Sequence, residues 1–265
     1  MSKIKLLGVL LCYNDVDILE EAILHLLNNN HELIVWDHGS DDGTAALLDK
    51  YQNHLAERRF IPRAYDFYNL YQAMSDHLIT DCIRQYDWIS WPDQDELLEG
   101  PDRSKRYDAW IEDVFIQGYD SIQFNNFNYW ITTVDDLSIN SPVDRIKHYS
   151  IFPDCAPRIR AWRASKTNTR IFNHNPVDGE KLPWNFNLRH YPMRTVVQMN
   201  RRLDKDRANL ERGGSNYHYD NLARYRDTLI MAPELLHYDN GTADLDPTVK
   251  YNWRDVYGYG PAAGK

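Results

Sequence analysis

The sequence predicts an α/β fold: a parallel, nucleotide-binding type of sheet with helices on both faces. Three observations carry this. Short continuous apolar runs at 6–12 and 33–36 read as strands buried on both faces. Segments with helical apolar spacing alternate with them. Polar clusters at 13–15, 37–42 and 93–96 follow three of the strands, and open α/β sheets bind ligands beyond the carboxyl ends of their strands.

The elements follow in order. The run 6–12 ends at Tyr13, Asn14 and Asp15. Val16, Leu19, Ala22, Ile23, Leu26 and Leu27 then lie on one helix face, with Asn14 or Asp15 as the N-cap and Asn28, Asn29 and Asn30 as the stop. The strand 33–36 breaks at a turn spanning 37–44, and a helix is expected over about 45–56. A third strand is expected over 60–65. A helix over about 69–85 follows, with Tyr71, Met74, Leu78 and Cys82 at helical spacing, and a fourth strand over 87–91 leads into Asp93.

The second half is less regular. Residues 121–130 read as a strand and 131–156 mostly as loop, with Pro142 and Pro153. Short strands are expected over 158–163, 169–174 and 187–191, and a helix over 193–210, broken by Gly213, Gly214 and Ser215. From Gly241 onward the chain reads as extended. The expected organisation is a domain over 1–212, its nucleotide-binding half at about 1–100 and its acceptor half at about 101–212. A helical or extended segment, 213–265, follows it.

Composition narrows the function classes. With 43% hydrophobic and 26% charged residues, the 265-residue chain has the balance of a soluble globular protein. Its net charge of -9 argues against a generic nucleic-acid binder. The basic stretch Arg201, Arg202, Lys205 and Arg207 is diluted by Asp204, Asp206 and Glu211. The 18 Tyr and 8 Trp suit either sugar-stacking surfaces or ordinary core filling. Cys12, Cys82 and Cys155 are odd in number and form no CxxC pair, so neither a disulfide framework nor a zinc knuckle is suggested. The first apolar run is too short to span a membrane, so no transmembrane segment and a cytoplasmic location are expected.

Asp93 and Asp95, two residues apart past a strand, can reach one hard divalent cation where the chain turns, and Mg²⁺ or Mn²⁺ prefers such oxygen ligands. The competing reading is a solvated acidic turn with Glu96 as a helix N-terminal charge. In the turn 37–44 the glycines let backbone approach a ligand, and the acidic side chains can accept hydrogen bonds from a base or ribose. The same residues equally describe a capped turn.

The chain resembles family 2 glycosyltransferases of the GT-A fold over roughly residues 4–100. The resemblance rests on Tyr13-Asn14-Asp15 after the first strand, on the Asp-x-Gly-Ser-x-Asp-Gly-Thr turn from Asp37 to Thr44, and on Asp93-Gln94-Asp95-Glu96. His190-Tyr191-Pro192-Met193-Arg194-Thr195 is similar to a later segment of one subgroup. The resemblance implies that Tyr13, Asn14 and Asp15 line the base pocket. Asp37 would bond the base, Gly39 and Ser40 would belong to the nucleotide-binding turn, and Asp41 would lie near the ribose. Asp93 and Asp95 would hold the ribose and a Mn²⁺ or Mg²⁺ ion, and His190 would complete the metal shell. Arg194, ahead of Arg201 and Arg202, would neutralise the diphosphate. The implied activity is transfer of a sugar, with inversion, from a nucleotide-diphosphate sugar, UDP-sugars favoured, to an acceptor hydroxyl. The acceptor is a glycan, another hydroxyl compound or a modified nucleic-acid base.

Two departures stand out. His38 replaces the small or acidic residue common after the first Asp, and the family's Glu-Asp pair that serves as general base is missing. Asp178 and Glu180 are the foremost candidates for the base, with Asp144 and Asp154 as further options; an ordinary turn accounts for 173–180 equally well. The competing functions are nucleotidyl transfer that makes a sugar nucleotide, and a non-catalytic sugar-nucleotide or glycan-binding module.

Overall fold

The computed structural model describes residues 4–64, 67–151, 157–168, 178–198, 200, 201, 204 and 230–250. The chain divides into two compact units, residues 1–126 with 156–189 and residues 127–155 with 190–265.

The first unit is an α/β sheet. Strand β1 (Leu6–Cys12) is buried along its whole length and lies between β2 (His31–Asp37) and β4 (Trp88–Ser90), parallel to both. Strand β3 (Leu55–Phe60) adds a parallel edge beyond β2. On the other side β8 (Arg158–Arg163) runs antiparallel to β4, and the first half of β6 (Ser121–Trp130) pairs with β8. Alternation along β1 divides the core between the two faces. Leu7, Val9 and Leu11 pack with Leu70 and Met74 of α3 (Phe67–His77), while Leu6 joins Tyr107, Ile111 and Val114 of α4 (Tyr107–Gln117). Helix α1 (Val16–Asn28) buries Ile18, Leu19, Ala22, Ile23 and Leu26, the stripe its spacing predicts. Helix α2 (Thr44–Tyr51) follows β2, and strand β5 (Glu96–Glu99) pairs with β9 (Phe186–His190). In the second unit the latter half of β6 pairs with β7 (His148–Ile151), and β7 pairs with β10 (His237–Tyr238).

Several expectations shift. The second helix ends at Tyr51, and the third strand runs over Leu55–Phe60 instead of 60–65. As an edge strand, β3 carries Glu57, Arg58 and Arg59 and lacks the apolar run of a central strand. The helix expected over 69–85 is α-helical only to His77. It continues as a π-turn over Leu78–Cys82, where the Ile83 N–H reaches the Leu78 carbonyl five residues back. Helix α4 and strand β7 fall where no element was expected. Residues 196–198, 200, 201 and 204 are helical; the rest of the 193–210 helix, the 169–174 strand and the break at 213–215 lie outside the described residues. Among the described residues no helix is long and apolar enough to cross a membrane. Cys12 and Cys82 are buried free thiols.

Candidate functional site

The three polar clusters do lie at the carboxyl ends of β1, β2 and β4. Register explains why: Cys12 pairs with Asp37 across β1 and β2, and Gly8 pairs with Ser90 across β1 and β4. Side chains then knit the loops together. Asn14 sits in the left-handed region at φ 55°, which Asn tolerates better than most side chains. Its Nδ2 donates to Asp41 Oδ1 at 2.8 Å, its Oδ1 accepts the Asp41 N–H at 2.8 Å, and its own N–H reaches Ser40 Oγ at 2.9 Å. Asp42 accepts the Val16 N–H at 3.0 Å and the Thr44 N–H at 3.1 Å, so one carboxylate caps both α1 and α2. Asp15 starts α1 without a capping bond from its side chain, which instead accepts from Gln94 of the β4 loop.

This separates two roles that the sequence left mixed. Asn14, Ser40, Asp41 and Asp42 are engaged in building the loops. Asp37 is 1% exposed; its Oδ1 accepts the Ser40 N–H at 3.0 Å, while its Oδ2 is buried with no partner. An unpaired buried carboxylate oxygen is costly, and a ligand N–H or O–H is what would satisfy it. Beside it the Cys12 thiol is held well above its ordinary pKa, by burial first and then by Asp37, Asp15 and Asp42, so the strand ends form a region of negative potential.

Gly39 takes φ +70°, and a β-carbon there would lie 2.8 Å from the Arg63 backbone nitrogen. That close approach lays the Arg63 guanidinium over the Tyr13 ring, 4.3 Å from its centroid. The same guanidinium donates to Nδ1 of the buried His38 at 3.2 Å. His38, the departure from the family pattern, thus anchors Arg63 beside Tyr13.

At the end of β4 the acidic cluster is no solvated turn. Asp95 and Glu96 are 7% and 2% exposed, and Glu96 opens strand β5 and not a helix. Arg160 of β8 donates from Nη2 to Asp93 Oδ2 at 2.5 Å and to Glu96 Oε1 at 2.7 Å. Among the described residues no group of three His, Cys, Asp or Glu side chains is placed to hold a metal. The oxygen-only pair Asp93 and Asp95 still fits Mg²⁺ or Mn²⁺, because these ions are commonly bound by one or two carboxylates plus substrate phosphates.

The remaining expected site residues lie elsewhere. The Glu180 N–H bonds Asp120 Oδ2 at 2.9 Å, and the Asp178 N–H bonds the Lys166 carbonyl at 3.3 Å. Asp120 in turn bonds Arg163, which pairs with Trp88 at the amino end of β4. Asp178 and Glu180 are therefore exposed at the opposite end of that strand from Asp93, and the structure does not bring them together with it. Asp144 is exposed in the second unit, and Asp154 lies outside the described residues. His190 and Arg194 also belong to the second unit. His190 Nδ1 donates to Asn128 Oδ1 at 2.7 Å, which orients the ring. Arg194 is fully buried and donates to the Tyr191 carbonyl at 3.0 Å.

Arg160 and Arg63 were not singled out in the sequence, and Glu96 was read only as part of the acidic motif. The available signal was a charged residue at the centre of the 158–163 strand, flanked by Ile159 and Ala161.

The family model for glycosyl transferase family 2 matches residues 9–166. No curated protein matches the chain in sequence. Among solved structures, S. aureus TarS is similar at 12% identity and a TM-score of 0.38, over 84% of this chain and 44% of that one. TarS 1–349 in complex with UDP is similar at 12% identity and a TM-score of 0.36, over 82% and 69%. HddC from Yersinia pseudotuberculosis is similar at 10% identity and a TM-score of 0.38, over 70% and 94%. The chain spans less than half the length of TarS.

Proposed function

Because the chain belongs to glycosyl transferase family 2, we propose that it transfers a sugar, with inversion, from a nucleotide-diphosphate sugar to an acceptor hydroxyl, and that it depends on Mn²⁺ or Mg²⁺. One observation carries this reading. Loops from three parallel strand ends are tied to one another, yet the most buried carboxylate among them, Asp37, keeps one oxygen without a partner.

The Asp37 oxygen accepts a ring N–H of the base. Uracil and guanine carry one and cytosine does not, so UDP-sugars head the list and GDP-sugars follow. Tyr13, braced by Arg63 and His38, offers an aromatic face to the base. Asp41 and the Gly39–Ser40 backbone border the ribose. Asp93 and Asp95 would hold the cation, which would supply charge neutralisation for the departing diphosphate. His190 Nδ1 is committed to Asn128, and Arg194 donates to the Tyr191 carbonyl. The acceptor hydroxyl, on a glycan or another hydroxyl compound, attacks the anomeric carbon opposite the leaving group, losing its proton to a carboxylate base as the nucleoside diphosphate departs. Asp178 and Glu180 take no part in this reading, since they lie at the other end of β4.

The test is donor turnover. Incubated with UDP-sugars and Mn²⁺, the protein is expected to release UDP, with loss of at least about 100-fold in Asp95→Asn, the order set by removing one charge-stabilising group. Binding without release in any acceptor mixture would make it a sugar-nucleotide-binding module. Release of pyrophosphate from a nucleoside triphosphate and a sugar phosphate would make it a nucleotidyltransferase.

A further inference from the structure

Arg160 stands in the middle of β8, 6% exposed, where a strand residue is ordinarily apolar. Its Nη2 holds Asp93 Oδ2 and Glu96 Oε1, and the second Glu96 oxygen accepts the Asp93 N–H at 3.0 Å. Glu96 thus fixes the Asp93 backbone while Arg160 fixes its side chain. The Arg160 Nε is buried without a partner, so the guanidinium is not placed for its own hydrogen-bond economy.

The pair has a consequence for any divalent cation at Asp93 and Asp95. Two carboxylates, Asp93 and Glu96, meet one internal cation, and the buried Asp95 lies between them in sequence. Arg160 occupies one Asp93 oxygen and offsets part of the negative potential that would attract free metal. A bound diphosphate adds charge and oxygen ligands that Arg160 does not cancel.

We propose that Arg160 is a positioning residue that fixes Asp93 and makes divalent-cation binding depend on the diphosphate already bound. The role of the diphosphate rests on the function proposed above; the effect of Arg160 on free metal does not. The proposal is tested by Mn²⁺ titration, reading free Mn²⁺ from its electron paramagnetic resonance signal, with and without UDP. In the wild type, Mn²⁺ alone binds weakly, and UDP tightens it by about tenfold or more. Arg160→Gln binds Mn²⁺ alone about tenfold more tightly than the wild type, because the competing cation is gone, and UDP adds little. Arg160→Lys, which keeps the charge, stays close to the wild type. Glu96→Gln, which removes a negative charge instead, weakens Mn²⁺ binding; with Arg160→Lys it decides the question should Arg160→Gln fail to fold by circular dichroism.

A folded Arg160→Gln that binds Mn²⁺ no more tightly than the wild type would overturn the proposal. So would an Arg160→Lys that behaves like Arg160→Gln, or a Glu96→Gln that binds Mn²⁺ as tightly as the wild type. If UDP binds no variant, the nucleotide reading fails and with it the diphosphate half of the proposal, while the comparison in Mn²⁺ alone still decides the part played by Arg160.

Discussion

Acid should loosen the scaffold beneath this site through His31, the first residue of β2. The ring is 4% exposed and stacks on Tyr107 at 5.8 Å with planes 4° apart. Nδ1–H donates to the Asn29 carbonyl at 2.8 Å, and Nε2 faces Ser90 Oγ at 3.0 Å, which in turn meets the Tyr107 hydroxyl at 3.0 Å. Ser90 ends β4, three residues before Asp93. Burial pushes the His31 pKa down to about 4 from an ordinary 6.5, so the folded ring is neutral at pH 7. The unfolded chain takes up the proton first, so the stability is complete above pH 6.5 and is lost as pH falls from 6.5 to 4. At about 1.36 kcal/mol per pKa unit the full loss is about 3 kcal/mol, of which about 2.5 kcal/mol has gone by pH 4.5. His25, also pushed down to about 4 by burial and then by Arg189, acts in the same direction. It is only half-buried by surface area, though, so its effect is the smaller one. Urea denaturation followed by circular dichroism at pH 7 and pH 4.5 isolates His31 by comparing the wild type with His31→Gln. The variant should lose about 2.5 kcal/mol less than the wild type over that interval. An equal loss in both proteins would refute the assignment of a buried neutral His31.

Two further outcomes follow from the strand-end loops. Gly39→Ala forces a β-carbon into the left-handed region and to within 2.8 Å of the Arg63 nitrogen. About 2 kcal/mol of strain and displacement should lower Tm by roughly 5 °C in a thermal melt, and UDP affinity should fall as Arg63 moves off Tyr13. Asp37→Asn keeps the Ser40 bond and removes an unpaired buried charge. Its Tm should match or exceed that of the wild type, and a Tm lower by several degrees would show that the carboxylate serves the fold.

How much was legible varied with where the information lies along the chain. The bounds of β1, β6 and β8 match their apolar or alternating patterns, because those strands are central and their neighbours bury them. Strand β3 was misplaced because an edge strand need not be apolar. Helix α4 did carry the signal, with Tyr107, Ile111 and Val114 at helical spacing and Gly118 as a left-handed stop, but acidic residues between them masked the stripe. The strand-end clusters were readable because topology alone brings such loops together. Arg160 was not, since its partner Asp93 is 67 residues away and only sheet order makes them neighbours. Asp178 and Glu180 fail as neighbours of Asp93 for the same reason: turn composition says nothing about which end of a sheet the turn occupies.

The central claim is that the unpaired Asp37 oxygen and the Asp93–Asp95 pair form one nucleotide-diphosphate site. Calorimetric titration of UDP, with GDP and CDP as controls, in Mn²⁺ and in EDTA tests it on the wild type and on Asp37→Asn. The account predicts that UDP binds in Mn²⁺, that CDP does not, and that both EDTA and Asp37→Asn weaken UDP by about tenfold or more. UDP bound equally by Asp37→Asn, or no nucleotide bound by the folded wild type in Mn²⁺, would contradict it.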